Sequence, residues 1–253
     1  MLDEKKMRLL EERIEGWRTH AKSRDRAKIY DEVFDQRTLM VIYKLINKGA
    51  LTTVDYPVST GKEGNVFHAT ADGAPVALKI YRVGNSTFRS LSDYILGDPR
   101  FKGLTGNHRK IICAWASKEY KNLERMHASG TRVPRPIAVE ENILVMGYLG
   151  DETMPAPMIK GIKFEDPEPV LDDVIDNMKC IQKAELVHGD LSEYNILFWD
   201  GSTYVIDVGQ AVTTDHRNAD EWFERDTVNM ARFFKHLGCK ITAKEIAERV
   251  RGE

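Results

Sequence analysis

Between Leu186 and Gly209 this chain leaves itself the least freedom. Leu186-Val187-His188-Gly189-Asp190-Leu191-Ser192-Glu193-Tyr194-Asn195-Ile196-Leu197 is polar and irregular up to Asn195. Short strands are expected over Ile196–Trp199 and Tyr204–Val208, turned by Asp200-Gly201. The second strand ends in Ile206-Asp207-Val208-Gly209. The spacing H-x-D-x-x-x-x-N, then a hairpin, then apolar-Asp-x-Gly, is what metal-assisted phosphotransfer from a nucleotide requires. One carboxylate must face an acceptor hydroxyl, while an amide oxygen and a second carboxylate hold divalent cations against phosphate oxygens. Magnesium takes oxygen ligands and keeps several waters, so one or two protein oxygens per ion suffice.

Such a site needs a scaffold, and the composition allows one. The chain has 253 residues, of which 42% are hydrophobic and 30% charged, enough for a packed core and against global disorder. Lys+Arg 37 against Asp+Glu 39 excludes an overall basic coat for nucleic acid, though not a local basic patch. The three cysteines, Cys113, Cys180 and Cys239, are widely separated and form no C-x-x-C pair, which points to free thiols in a reducing compartment. No apolar run approaches the roughly 20 residues of a membrane span. The charged start, MLDEKKMRLLEER, is unlike a secretory signal, so a soluble cytoplasmic protein is expected.

The pattern along the chain changes from strands to helices. Residues 1–30 carry nine Lys/Arg and six Asp/Glu, which suits a solvated helix or a basic arm that docks on RNA or an acidic protein. Thr38 is placed to cap a helix through Leu39, Ile42, Tyr43, Leu45 and Ile46 that stops at Gly49. Strands are expected over 54–58, 65–69 and 76–81, the last two joined at Asp72-Gly73. Residues 84–108 read as a long polar loop. Its Ser86, Thr87, Ser90, Ser92 and Thr105 make it a candidate phosphoacceptor or lid as well as a plain connection. A helix over Arg109–Ser129 closes at Gly130, and strands 137–139 and 143–149 meet at Glu141-Asn142. Four prolines from Pro155 to Pro169 mark the change of character. Helices over 169–184, 219–237 and 242–251 complete the chain.

Two more segments carry chemical signals. Ser59-Thr60-Gly61-Lys62-Glu63-Gly64-Asn65-Val66 lies between strands, where small residues let backbone N–H groups approach an anion; an ordinary glycine-rich hairpin has the same look. In Val76-Ala77-Leu78-Lys79, strand alternation sets Val76, Leu78 and Ile80 on one face and Ala77, Lys79 and Tyr81 on the other. A lysine among apolar strand residues requires a partner unless it lies on an exposed edge. On the following helix, Trp115, Glu119, Asn122 and Met126 share a face while Glu124 points elsewhere, which makes Glu119 the preferred partner of Lys79.

Taken together, the strings STGKEGNV, VALKIYR, LVHGDLSEYNIL and IDVGQAV resemble the protein-kinase-like superfamily, and within it the RIO family of atypical kinases, type-1 branch. The resemblance runs from about Gln36 onward, and HGDLSEYN and IDVGQ are far more specific than the glycine loop. It implies an α+β, bilobal protein-kinase-like fold. The expected parts are an N-terminal helical extension (1–50), a small sheet-rich N-lobe with its hinge (51–150) and a trimmed helical C-lobe (151–253). It further implies a non-specific serine/threonine protein kinase using ATP with Mg2+ or Mn2+. The implied partners are a protein serine substrate or the chain itself, and a precursor of the small ribosomal subunit with its rRNA, with no membrane involved. Position by position, Lys79 would hold the α- and β-phosphates, braced by Glu119. Asp190 would be the catalytic aspartate, with Asn195 and Asp207 as metal ligands. Ser59 and Lys62 would lie over the phosphates. Val66 and Ala77 would line the adenine pocket, and Met146, Gly147, Tyr148 and Leu149 would form the hinge.

Departures from ordinary protein kinases leave the acceptor open. His188-Gly189-Asp190 lacks the arginine that meets a phosphorylated activation loop, Val208 stands where phenylalanine is usual, and no A-P-E segment follows. The lack of a long tail and of a winged-helix segment argues against the type-2 branch. An alternative is an assembly factor in which bound nucleotide sets a conformation and hydrolysis triggers release from a ribosomal precursor. A small-molecule phosphotransferase of the aminoglycoside or choline type shares the aspartate-asparagine spacing, but usually differs around STGKE and LSEYN.

Overall fold

The computed structural model describes residues 4–19, 33–61, 64–83 and 107–252. The loop expected over 84–108 lies almost wholly outside them, as do residues 1–3 and 20–30 of the charged N-terminal segment. The chain divides into two compact units. The first takes its described parts from residues up to 83, from 107–117 and from 136–148; the second comprises 118–135 and 149 onward.

The first unit is a sheet backed by helices. Helix α1 (Glu4–Thr19) buries Leu10 and Ile14, one turn apart, and its Glu11 Oε1 accepts from Tyr43 Oη at 3.1 Å. Burial, and then that carboxylate, push the Tyr43 phenol up to about 12. Helix α2 (Gln36–Asn47) turns Val41, Ile42, Leu45 and Ile46 inward. Its N-cap is Asp35 rather than Thr38: Asp35 Oδ1 accepts from Thr38 N at 2.6 Å. Both residue types can cap, but Asp35 has the extended backbone a cap requires and Thr38 is buried within the first turn.

Strands β1 (Thr53–Thr60), β2 (Gly64–Ala71) and β3 (Ala74–Tyr81) form a meander, followed by β4 (Pro136–Glu140) and β5 (Ile143–Gly147). The order is β1-β2-β3-β5-β4, antiparallel throughout. At the β2–β3 turn Asp72 (φ +48) and Gly73 (φ +78) are both left-handed, the geometry that follows strand twist. Alternation works as the sequence implies: Phe67, Ala69, Val76, Leu78, Ile80, Ile143 and Val145 share a core with α1 and α2.

Helix α3 (His108–Ser129) begins in the first unit and ends in the second. Near its start, Arg109 donates to Glu141 Oε2 at 3.0 Å, and Arg37 from α2 donates to the same oxygen at 3.2 Å. Lys44 lies 3.6 Å from the other oxygen. The β4–β5 turn is thus clamped to two helices through one carboxylate.

The second unit is mainly helical: the remainder of α3, α4 (Glu168–Lys183), α5 (Ala219–His236) and α6 (Ala243–Arg251). Thr242 and Glu245 close a reciprocal capping box at the start of α6. Two short ribbons complete the unit: β7 (Ile196–Trp199) with β8 (Ser202–Val205), and β6 (Leu186–Val187) with β9 (Val212–Thr213). The β6–β9 pair is not expected from sequence, because a two-residue strand has no period to read. Strand β8 also stops at Val205 instead of reaching Val208. Ile206 N turns to Asn195 O at 2.9 Å, and Asp207 takes φ +57, which no strand accommodates. A partly buried polar lattice ties the unit together: Asp173 takes Arg132 on one oxygen and Thr203 N (2.7 Å) and Oγ1 (2.5 Å) on the other, while Asn177 Oδ1 accepts from Arg132 N at 2.8 Å. Cys113, Cys180 and Cys239 are free thiols, as expected, and no helix among the described residues is long and apolar enough to cross a membrane.

Burial raises the Glu141 carboxyl, but the Arg109 hydrogen bond and the charges of Arg37, Arg109 and Lys44 outweigh it and leave the group below the usual glutamate value. A carboxyl lowered in the folded state stabilises above its unfolded value and loses that contribution as pH falls through the folded one. Glu141→Gln should therefore lower the melting temperature at neutral pH, and the deficit should shrink as pH falls below the ordinary glutamate value. Thermal denaturation from pH 7 to pH 3 checks this; a constant deficit across the range would contradict it.

Candidate phosphotransfer site

The irregular loop from His188 to Asn195 is held almost entirely through its backbone. The carboxylate of Asp226, on α5, accepts from Gly189 N at 2.8 Å on one oxygen and from Leu191 N at 2.7 Å on the other. Asp226 is 2% exposed. Its neighbour Arg225 donates to Gly189 O, and Asn229, one turn on, donates to Leu191 O at 3.1 Å. Helix α5 thus grips both sides of Asp190. Gly189 supplies the left-handed φ of +79 that lets both flanking N–H groups turn to one carboxylate.

His188 connects this loop to the segment carrying the second carboxylate. Its Nε2 lies 3.1 Å from Ile206 O, and its Nδ1 accepts from Asp190 N at 3.3 Å. The ring therefore carries its proton on Nε2 and donates it to that carbonyl. Asn195 provides a second tie. Its backbone oxygen accepts from Ile206 N, and its side-chain Nδ2 donates to Asp190 O at 2.8 Å. Anchoring the amide by its nitrogen leaves Oδ1 as the end able to face a cation. Beyond Asp207, Asn122 of α3 donates from Nδ2 to Val208 O at 2.8 Å and to Ala211 O at 3.0 Å. Asp207 itself is exposed and left-handed.

The electrostatics follow from this packing. Burial pushes the Asp190 carboxyl above its ordinary value, and the charge of Asp207 pushes it the same way, against the pull of His188 and Arg225. Burial likewise raises Asp226, opposed by His188, the two backbone N–H groups and Arg225. A second carboxylate whose charge adds to the rise of Asp190 is one that a divalent cation would neutralise. No group of three or more His, Cys, Asp or Glu able to hold a metal occurs among the described residues. One carboxylate, of Asp207, and one amide oxygen, of Asn195, suit a hard ion that completes its shell with phosphate and water.

In the first unit, the sheet face away from the helices carries the remaining candidates. Register places Val66, Lys79 and Leu144 in one row, and His68, Ala77 and Met146 in the next. Lys79 is 7% exposed, with Nζ 5.1 Å from the centroid of the Tyr81 ring. It is a buried strand lysine, not an edge one. Ser59 is exposed near the end of β1, and Lys62 lies outside the described residues. Gly61 N closes the hairpin on Gly64 O at 2.9 Å. A Cβ on Gly64 would stand 2.7 Å from Ile80 O, so this glycine is required by the close approach of β3. Gly147 pairs with Val76 at the end of β5, while Leu149, in the second unit, has its carbonyl engaged by Ala156 N at 2.9 Å.

Glu119 is 2% exposed on α3, on the buried face with Trp115, Asn122 and Met126, while Glu124 is exposed as expected. Lys79 and Glu119 belong to different units. Sequence reasoning misses Asp226, Arg225 and Asn229 altogether and gives Asn122 no role. A signal for Asp226 is present nonetheless: it falls on the α5 stripe of Trp222, Phe223, Met230 and Phe234, where a carboxylate needs compensation.

Comparison with known proteins places this geometry in a family. Residues 65–246 match the RIO domain model. The chain is 42% identical to the RIO-type serine/threonine-protein kinase Rio1 of Haloferax volcanii, over 95% of this chain and 83% of that protein. It is 38% identical to the human serine/threonine-protein kinase RIO1, over 88% of this chain but only 40% of the human protein. Among solved structures, the Rio2 kinase-ADP/Mg2+-phosphoaspartate complex from Chaetomium thermophilum matches 85% of this chain and 70% of that one, with a TM-score of 0.64 and 24% identity, a likeness of fold. The expected kinase-like α+β architecture is therefore present, and the chain belongs to the RIO family of serine/threonine-protein kinases, on its Rio1 branch.

Proposed function

We propose that the chain transfers the γ-phosphoryl group of ATP to a serine hydroxyl, on a protein or on itself, with Mg2+ or Mn2+, and that it does so in the cytoplasm during maturation of the small ribosomal subunit. The observation that carries the phosphotransfer reading is the interlock of Asp190, Asn195 and the Asp207 segment through His188 and Ile206. The Mg2+ of the Chaetomium Rio2 complex supports the choice of ion. The ribosomal role rests on the resemblance alone.

The residues divide the work. Asn195 Oδ1 and the Asp207 carboxylate would hold the cation, which when bound neutralises charge on the phosphate oxygens. Lys79 would hold the α- and β-phosphates, with Glu119 as its brace and Ser59 and Lys62 over the phosphates. Val66, Ala77 and Met146 would take the base, and Gly147 and Leu149 would read its edge, Leu149 through its N–H. Asp190 would orient the acceptor hydroxyl and receive its proton late, so ionisation rather than strong basicity is what it needs. The backbone grip of Asp226 keeps Asp190 from drifting, the kind of positioning on which such transfers depend.

A second reading takes water as the final acceptor, with nucleotide hydrolysis timing release from a ribosomal precursor. The phosphoaspartate of the Rio2 complex favours it. Phosphoprotein formed per ATP consumed, measured with and without small-subunit particles, separates the two. Near-stoichiometric phosphoserine supports transfer; hydrolysis stimulated by the particle without stable phosphoprotein supports the alternative.

Asp207→Ala should abolish metal-dependent turnover, and Asp190→Ala should lower it by at least about a hundredfold while leaving the nucleotide Kd within about threefold. Turnover assays and calorimetry with Mg-ATP check both; wild-type ATP consumption by Asp190→Ala would refute the assignment. Asp226→Asn keeps the side-chain shape but offers one acceptor where two N–H groups need partners. Turnover should fall by about tenfold or more at unchanged nucleotide affinity, and the melting temperature should drop by several degrees. Unchanged turnover would show that the grip is dispensable.

A further inference from the structure

On the sheet face of the first unit, beside the row that holds Lys79, lies a cluster that the phosphotransfer chemistry does not use. His68, 9% exposed, donates from Nδ1 to Asp55 Oδ2 at 2.9 Å, and Asp55 Oδ1 accepts from Thr53 Oγ1 at 2.7 Å. With both oxygens engaged, the carboxylate fixes the plane of the imidazole. Tyr56 stacks on one side of that ring at 4.6 Å with an interplanar angle of 6°. Its hydroxyl is buried and makes no hydrogen bond, so Tyr56 contributes its ring face. The ring of Tyr148 meets His68 edge-on at 4.7 Å and 82°. Register explains how residues on β2 and just beyond β5 can touch. His68 pairs with Ala77 on β3, and Ala77 pairs with Met146 on β5. The strand between them presents only a methyl group at this row.

We infer that His68, held by Asp55, is a positioning residue for the base of the bound nucleotide, acting through Tyr148. The inference rests on the nucleotide reading above. Lys79 fixes the phosphate end of that face. The next row along the strand, about 7 Å away at two residues' rise, holds His68 at one end and is apolar across Ala77 and Met146. A flat base suits that row, and a triphosphate suits the row of the lysine. Tyr148 directly follows Gly147, whose backbone would read the base edge. His68 therefore sets the backbone that meets the base without touching the phosphates.

The test is calorimetry on the full chain with Mg-ATP and with Mg-tripolyphosphate, which has no base. His68→Leu removes the stack, the edge contact and the hydrogen bond; His68→Phe keeps the ring contacts and loses Asp55. For His68→Leu the Kd for Mg-ATP should rise about three- to tenfold, the worth of one or two aromatic contacts, with the tripolyphosphate Kd unchanged. His68→Phe, the variant less prone to misfold, should show a smaller loss in the same direction. At saturating ATP kcat should hold while KM rises. Equal weakening of both ligands would make the cluster merely structural and overturn the inference, as would an unchanged Mg-ATP Kd in both variants. A wild-type chain that binds tripolyphosphate but gains nothing from the base also overturns it. Wild type binding neither ligand would instead refute the nucleotide reading on which it stands.

Discussion

The second unit depends on one buried carboxylate holding two backbone N–H groups. Asp226 is almost fully removed from water, a position that costs a carboxylate dearly unless its oxygens are satisfied. Gly189 N and Leu191 N satisfy them, one oxygen each. The residue between those two donors is Asp190. A loop fixed through its main chain leaves its side chains free for chemistry, and here the fixed point lies one residue away on either side. The grip comes from a helix rather than another loop, so its position is set by the packing of Trp222, Phe223, Met230 and Phe234. Core packing is thereby transmitted to the placement of the Asp190 carboxylate.

That arrangement also separates what the order of residues reveals from what it hides. The loop residues are legible because the proposed phosphotransfer demands their types and spacing: an acid at Asp190, an amide at Asn195, and a second acid at Asp207 after a hairpin. The anchors are not, because nothing local requires them. Asp226 lies 36 residues beyond Asp190 on a helix whose periodicity draws attention to its apolar members. Strand alternation in the first unit is legible for the opposite reason. With one face packed on helices, Val76, Leu78 and Ile80 can point only one way, and Lys79 is left on the other. Short-range competition is the weak point. Asp35 and Thr38 are both capping types three residues apart, and only tertiary burial of Thr38 decides between them. Lys118, wholly buried beside Glu119, gives no sign because helical spacing places it at the margin of the inward stripe.

The two units differ in how they carry charge. In the first, Glu141 gathers Arg37, Lys44 and Arg109 at a partly solvated turn, where the pairs fasten helices to the sheet. Lys79 on the same sheet is buried with an aromatic face beneath its ammonium. A protein gains little stability by burying a lysine, since desolvation offsets most of what a partner returns. A lysine kept inside a strand is therefore better explained by a task than by folding, and the neighbouring apolar row gives that task a direction.

Asp207 shows the same logic applied to the backbone. Its φ of +57 is a conformation that most side chains resist and that aspartate and asparagine tolerate best after glycine. Glycine would relieve the strain but would bring no ligand. Asparagine would fit the backbone but would bring no charge to oppose a cation. On the proposed metal role the position selects aspartate twice, once for its backbone and once for its oxygens. The surroundings hold the turn in place: His188 and Asn195 fasten Ile206 before it, and Asn122 fastens Val208 and Ala211 after it. A left-handed aspartate held by two side chains, His188 and Asn122, and by the backbone oxygen of Asn195 is the kind of preorganisation that the proposed ion site calls for.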